Sequence, residues 1–236
     1  MNSSVTRRDL ELISKIYDAA IDPGRWPQIM ENLVAHVGAD GGAIFAADEN
    51  FSEFAIEVTT SIWTPRTLDT YRRRFHAAES PLYQNLNRFP PRQLLLDDQI
   101  LDGICVASEL PARRWLASEM GITHRAAARL QKQNIWFDVM VLQYKDNRPM
   151  RNPSVLHRTN LFMDHLAKVV EINRPFMILK QRYNAVLSAL DRYQVGVFVL
   201  NDGGEVIVRN SAADRALDND NGLSITSQNR LPCLPG

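Results

Sequence analysis

Apolar positions along the chain change period several times, and each change marks an element. From Arg7 to Ala20, Leu10, Ile13, Tyr17 and Ala20 recur at helical spacing behind a capping Thr6. Asp22-Pro23-Gly24 ends that helix. A second runs from Trp26 or Pro27 to Val37, with Ile29, Met30, Leu33, Val34 and Val37 inward. Two strands follow, Gly42–Ala47 and Phe54–Ile62, joined by a turn at Asp48–Asn50. Pro65 opens a helix to Phe75, and ESPLYQNLNRFPPRQLLLDD reads as irregular apart from a short strand at Gln93–Leu96. A helix over Ser108–Met120 and strands at His124–Gln131 and Ile135–Tyr144 complete the pattern. In the last strand Phe137, Val139 and Val141 point one way and Trp136, Met140, Leu142 and Tyr144 the other. A strand apolar on both faces belongs in the middle of a covered sheet. This order predicts an α+β domain over 1–150, with a mostly antiparallel sheet under helices.

From Pro153 to Leu190 the period becomes seven. Phe162, Val169, Phe176, Tyr183 and Leu190 form one row; Leu166, Asn173, Lys180 and Leu187 form the other. If continuous, such a helix is about 55 Å long, and Pro175 predicts a kink or a junction near Arg174. Two readings fit: amphipathic helices covering neighbouring domains, or a partly wet homodimer seam through Phe162, Leu166, Val169, Phe176, Tyr183, Leu187 and Leu190. We favour the seam, in a linker over 153–192. The segment 195–236 then gives VGVFVLNDGGEVIVRN, a hairpin turning at Asn201–Gly204, a short helix over Ala212–Leu217 capped by Asn210 or Ser211, and a third strand within GLSIT.

Composition narrows the function classes. Formal net charge is zero, so no basic field announces nucleic acid or an acidic membrane. Cys105 and Cys233 lie far apart with no zinc spacing, which fits a reducing cytoplasm. The N-terminus is no signal peptide, and no apolar run reaches the roughly 20 residues of a membrane helix. Hydrolase, metalloprotease, P-loop and dinucleotide motifs are absent. Asp97-Asp98 with Asp102 reads as a solvated loop before it reads as a metal site. Arg72-Arg73-Arg74 reads as a solvated helix face before a phosphate-binding patch. A titratable group such as His76 with Glu79 inside a pocket would favour an enzyme, and an acid-free pocket would favour sensing.

Two stretches carry a resemblance. ELISKIYDAAIDPGRWPQIMENLVAHVGADGGAIF resembles the opening of long LuxR-type bacterial transcriptional regulators. The stretch from Leu156 to Leu217 resembles their linker helix and the PAS-like segment after it. The resemblance implies a GAF- or PAS-like sensory domain, a signalling helix, a partial PAS-like segment, a small-molecule effector, a homodimer and no enzymatic activity. The family's helix-turn-helix is not found after Leu231, so no DNA contact is expected from this chain. On this reading it is a truncated or sensor-only form, and a sensor-only form would hold intact relatives inactive. Tyr71, Phe75 and Glu79-Ser80-Pro81 further resemble the Tyr…Tyr…Asp-Pro pattern of acyl-homoserine-lactone-binding domains. Ser80 replaces the aspartate, and an uncharged acceptor is weaker there. The residues expected around a ligand are Trp63, Tyr71, Phe75, Ser80, Trp115 and Trp136, each of which also suits plain core packing. Neither ligand nor cofactor is specified.

Overall fold

The computed structural model describes residues 5–48, 54–102, 104–131, 136–146, 152–218, 225–226 and 229–230. Expectations placed on Glu49 and Asn50 of the first turn, on Ile135, on Gly222–Ser224 and on Cys233 fall outside them. Chain contacts separate two compact units, Met1–Asn173 and Arg174–Gly236.

The first unit is α+β. Helices α1 (Arg7–Ile21) and α2 (Trp26–Val37) lead into strands β1 (Gly41–Asp48) and β2 (Phe54–Thr59). Helices α3 (Pro65–Arg74) and α4 (His76–Asn85) come next, then β3 (Leu95–Leu96), a single turn α5 (Asp97–Ile100) and α6 (Pro111–Met120). Strands β4 (His124–Arg129) and β5 (Trp136–Tyr144) precede the long helix α7 (Pro153–Arg192). The five strands form one antiparallel sheet in the order β2-β1-β5-β4-β3. β5 is central, as its two apolar faces require.

Each sheet face has its own cover. Ile44, Met140, Leu142 and Tyr144 pack with α1, α2 and the first half of α7. Phe45, Val139 and Val141 pack with Leu82, Tyr83 and Leu86 from α4 and the turn after it. Ends are set locally: Thr6 and Asp9 close a capping box on α1, Thr64 caps α3, and Gly38 and Gly121 end α2 and α6 at φ 70° and 69°.

Four expectations change. On α1 the buried row is Asp9, Leu12, Ile16 and Ala19, while Leu10 and Tyr17 are exposed. Two apolar rows lie side by side on that helix, and the capping role of Asp9 disguises the inner one. Proline does not prevent α4, which contains Pro81 and occupies part of the stretch read as irregular. α7 continues through Pro175 as one helix. Finally Phe162, Leu166 and Val169 are fully buried in the first unit's own core. They cannot serve a homodimer seam, and the contact boundary sits at Asn173, not near 150, because these side chains complete that core.

The second unit holds the rest of α7, a hairpin of β6 (Phe198–Leu200) and β7 (Val206–Arg209), and α8 (Ser211–Asp218). Asn201 Oδ1 accepts from the backbone of Gly203 and Glu205, which fixes the predicted turn. Asn210 caps α8 by accepting from Ala213 N at 3.0 Å. Ile225 and Thr226 form no strand, although Arg230 bridges Glu205.

Candidate functional site

A small cavity opens between the sheet and α3, walled by Ala43, Phe45, Thr59, Trp63, Leu68, Tyr71, Tyr83, Arg125, Val141 and Gln143. Strand pairing builds its floor. Gln143 of β5 stands between Gly41 of β1 and Arg125 of β4, and the adjacent row is Ala43, Val141 and Ala127. Small residues on the flanking strands leave the space that the helices' aromatics then fill. Its volume is about 20 Å³, roughly the room one water needs.

Behind the wall lies a buried ionic cluster. α3 ends and α4 begins at Phe75 without a loop, which brings Tyr71 and Glu79 together. Tyr71 Oη donates to Glu79 Oε2 at 2.6 Å. Glu79 also receives Arg113 Nη1, and Arg125 Nη1 at 3.2 Å. Arg113 Nε donates to Asp97 Oδ2 at 2.5 Å, and Arg125 Nη2 to Tyr83 Oη at 2.9 Å. Glu79, Asp97, Arg113 and Arg125 are all buried. Their charges cancel, two against two. Asp97 Oδ1, Arg113 Nη2 and Arg125 Nε have no hydrogen-bond partner.

Electrostatics fix the protonation states. Burial alone would push the Glu79 carboxyl up; Arg125, Arg113 and the Tyr71 hydroxyl outweigh it and hold it below the ordinary range. Burial and the Glu79 charge push Tyr71 well up, so it stays a donor. Burial would lower Arg125, but Glu79 leads the groups that raise it, so it stays charged. A carboxylate tied to two guanidiniums and a phenol is a poor general base. His76, whose pKa burial lowers, is not among the residues lining the cavity.

The residues expected from the sequence divide. Trp63 and Tyr71 are on the cavity wall, and Trp63 Nε1 donates to Gln143 Oε1 at 2.8 Å. Phe75 and Trp115 stand one layer back, stacked at 5.1 Å, with Trp115 lying 6.3 Å from Trp63. Ser80 is off the wall, its hydroxyl 3.4 Å from the backbone oxygen of His76. The Trp136 side chain falls outside the described residues. Glu79, Arg113, Arg125, Tyr83 and Gln143 were not foreseen as a cluster. A usable signal is Arg125, which with Arg129 brackets the Ala126–Ala128 run of a buried strand. The sequence pattern puts Asp97 in a solvated loop; in the structure it is buried against Arg113, while Asp98 and Asp102 line a surface depression with Arg88 and Phe89.

No known family model matches the chain, and no curated protein sequence matches it. Solved structures do. The LBD domain of VqsR from Pseudomonas aeruginosa is 13% identical over 70% of this chain and 96% of its own, with a TM-score of 0.51. The GAF domain of a phosphoenolpyruvate-protein phosphotransferase from Coxiella burnetii is 14% identical over 73% of this chain and 99% of its own, TM-score 0.49. The phycoerythrobilin-bound GAF domain of a cyanobacterial phytochrome is 15% identical over 73% and 100%, TM-score 0.43. At such identity the likeness to the VqsR domain concerns the fold. No helix among the described residues is long and apolar enough to cross a membrane.

Proposed function

We propose that the first unit is the small-molecule-binding sensory module of a LuxR-type regulator acting in the cytoplasm. It takes a neutral, partly apolar molecule between Trp63, Tyr71, Tyr83 and Arg125. The observation that carries this reading is an aromatic-walled cavity backed by a charge-balanced, buried cluster. An anionic or cationic ligand would strip a partner from Glu79 or Arg125 and leave a buried charge exposed to the interior. A neutral ligand takes up the spare donor capacity of Arg125 and Gln143 and leaves the ion pairs intact.

The tightness of the cavity supplies the mechanism. A metabolite fits only if part of the wall moves outward, and Trp63 sits on the segment between β2 and α3, outside any helix or strand. Ligand binding then favours an open arrangement through its differential affinity for the two states. Binding is favoured over catalysis because the buried acid is fully engaged and no cysteine or serine lines the cavity.

The test is native mass spectrometry of the purified chain, followed by thermal melts with the retained compound or a panel of neutral amphipathic metabolites. At 100 times Kd a ligand adds about 2.7 kcal/mol, roughly 5–10 °C in Tm for a chain of this size. Trp63→Ala and Tyr71→Phe are expected to weaken binding about tenfold or more. No retained compound and no shift across the panel would refute the sensor; conversion of the compound to a product would assign an enzyme.

A further inference from the structure

Gln143 breaks the chemistry of its own row. On β5 that row is Phe137, Val139, Val141 and Gln143, all buried, so a side-chain amide stands where apolar packing would suffice. Its Oε1 accepts from Trp63 Nε1 at 2.8 Å, and both residues line the cavity. Gln143 is 1% exposed and Trp63 8%. Replacing both partners of such a bond by apolar groups of the same shape is close to neutral, so stability alone does not require the pair.

The strands on either side accommodate the amide. Gly41, its partner on β1, lies in an ordinary strand, yet a Cβ there would come within 2.8 Å of Gln143 Oε1. Glycine at that position is needed for space and not for backbone conformation. Arg125, its partner on β4, gives one N–H to Glu79 and one to Tyr83, and its Nε has no hydrogen-bond partner. A guanidinium carries five N–H donors, so Arg125 has some to spare. The amide thus stands between two donor groups and serves the indole.

We propose that the Gln143 amide is a built-in occupant of the cavity, which an incoming molecule must displace from the Trp63 indole. This rests on the first unit binding a neutral molecule at this place, and it names the residue that selects among such molecules. Once displaced, the amide oxygen turns to the spare donors of Arg125 across the strand pair. The indole N–H then needs a new acceptor, because leaving a buried donor unpaired weakens binding about tenfold or more. A molecule that brings an acceptor atom exchanges one bond for another. A hydrocarbon of the same shape does not, and Gln143 outcompetes it.

The experiment uses the full chain and two probes of one shape. Acetophenone carries an acceptor oxygen; in 2-phenylpropene a methylene replaces it. Binding is read by ligand-detected NMR and thermal melts. Gln143→Ala is expected to bind acetophenone at least tenfold tighter than the native chain does, and at least tenfold tighter than it binds 2-phenylpropene. Adding Trp63→Phe is expected to bring the two probes within about twofold of each other. Gln143→Met keeps the bulk and loses the strong acceptor, and it replaces the alanine variant if that variant lacks native circular dichroism; the same preference for acetophenone is expected. Probes bound alike, or acetophenone bound no tighter than by the native chain, would overturn the proposal. A native chain that retains a metabolite while its Gln143 variants treat the probes alike keeps the sensor and loses the built-in occupant. Discrimination between the probes with no retained metabolite does the reverse.

Discussion

Glu79 shows how one side chain can be both the centre of a site and nearly invisible in the sequence. The resemblance drew attention to Ser80, next to Pro81, yet the carboxylate that Tyr71 reaches is one residue earlier. A helix turns about 100° per residue, so adjacent positions face different surroundings. The two residues make opposite predictions. Glu79→Gln leaves Arg113 and Arg125 buried against a neutral amide, and is expected to cost about 3–5 kcal/mol in urea unfolding. Ser80→Ala loses one long bond to its own helix backbone and is expected to cost less than about 0.5 kcal/mol. Asp9 gives a pH signature of its own. Burial would raise its pKa, but bonds from the Thr6 side chain and backbone and from His36 lower it from 3.8 to about 2. Because the folded value lies below the unfolded one, the stabilisation is fully present above about pH 4 and disappears as pH falls through about 2. Its size is about 2 kcal/mol. Acid titration of unfolding free energy should show this loss between pH 4 and 2, and Thr6→Ala, which removes one of the bonds, should flatten it.

Among elements, legibility followed burial symmetry. β5 was readable because both its faces are apolar, and the β6–β7 hairpin because Asn-Asp-Gly-Gly permits few other turns. α4 was not readable, because Pro81 argues against a helix by local rules while the burial of Glu79, Leu82 and Tyr83 argues for one, and tertiary packing decides. The inner face of α1 was hidden for the converse reason: two neighbouring apolar rows offered two faces, and only the core shows which is used. β1 contributes a feature no periodicity reveals. A Cβ added to Gly41 would come within 2.7 Å of Ile62 Cγ2 and 2.8 Å of Gln143 Oε1. That amide oxygen holds the Trp63 indole. Gly41→Ala is therefore expected to cost about 1–3 kcal/mol through overcrowding, and also to displace Trp63, read as a shift in tryptophan emission. An equal stability loss with unchanged emission would show that Gln143 yields without moving the cavity wall.

At the scale of the whole molecule, the sequence suggests a domain ending near 150 and a linker after it, while the contacts divide at Asn173. Amphipathic spacing states that one helix face must be covered, but not by what: a core and a twin helix leave the same sevenfold repeat. The two cases separate in truncations. A chain ending at Asn173 keeps Phe162, Met163, Leu166, Val169 and Val170 in the first core and keeps the Asn173–Ala19 bond. It is expected to unfold cooperatively and to retain the cavity and its ligand. A chain ending at Arg151 loses those five large buried side chains together. Truncating even one buried leucine to alanine costs about 2–5 kcal/mol, and a domain's whole stability is only about 5–15 kcal/mol. The shorter chain should therefore show no cooperative transition and should bind hydrophobic dye as an open core does.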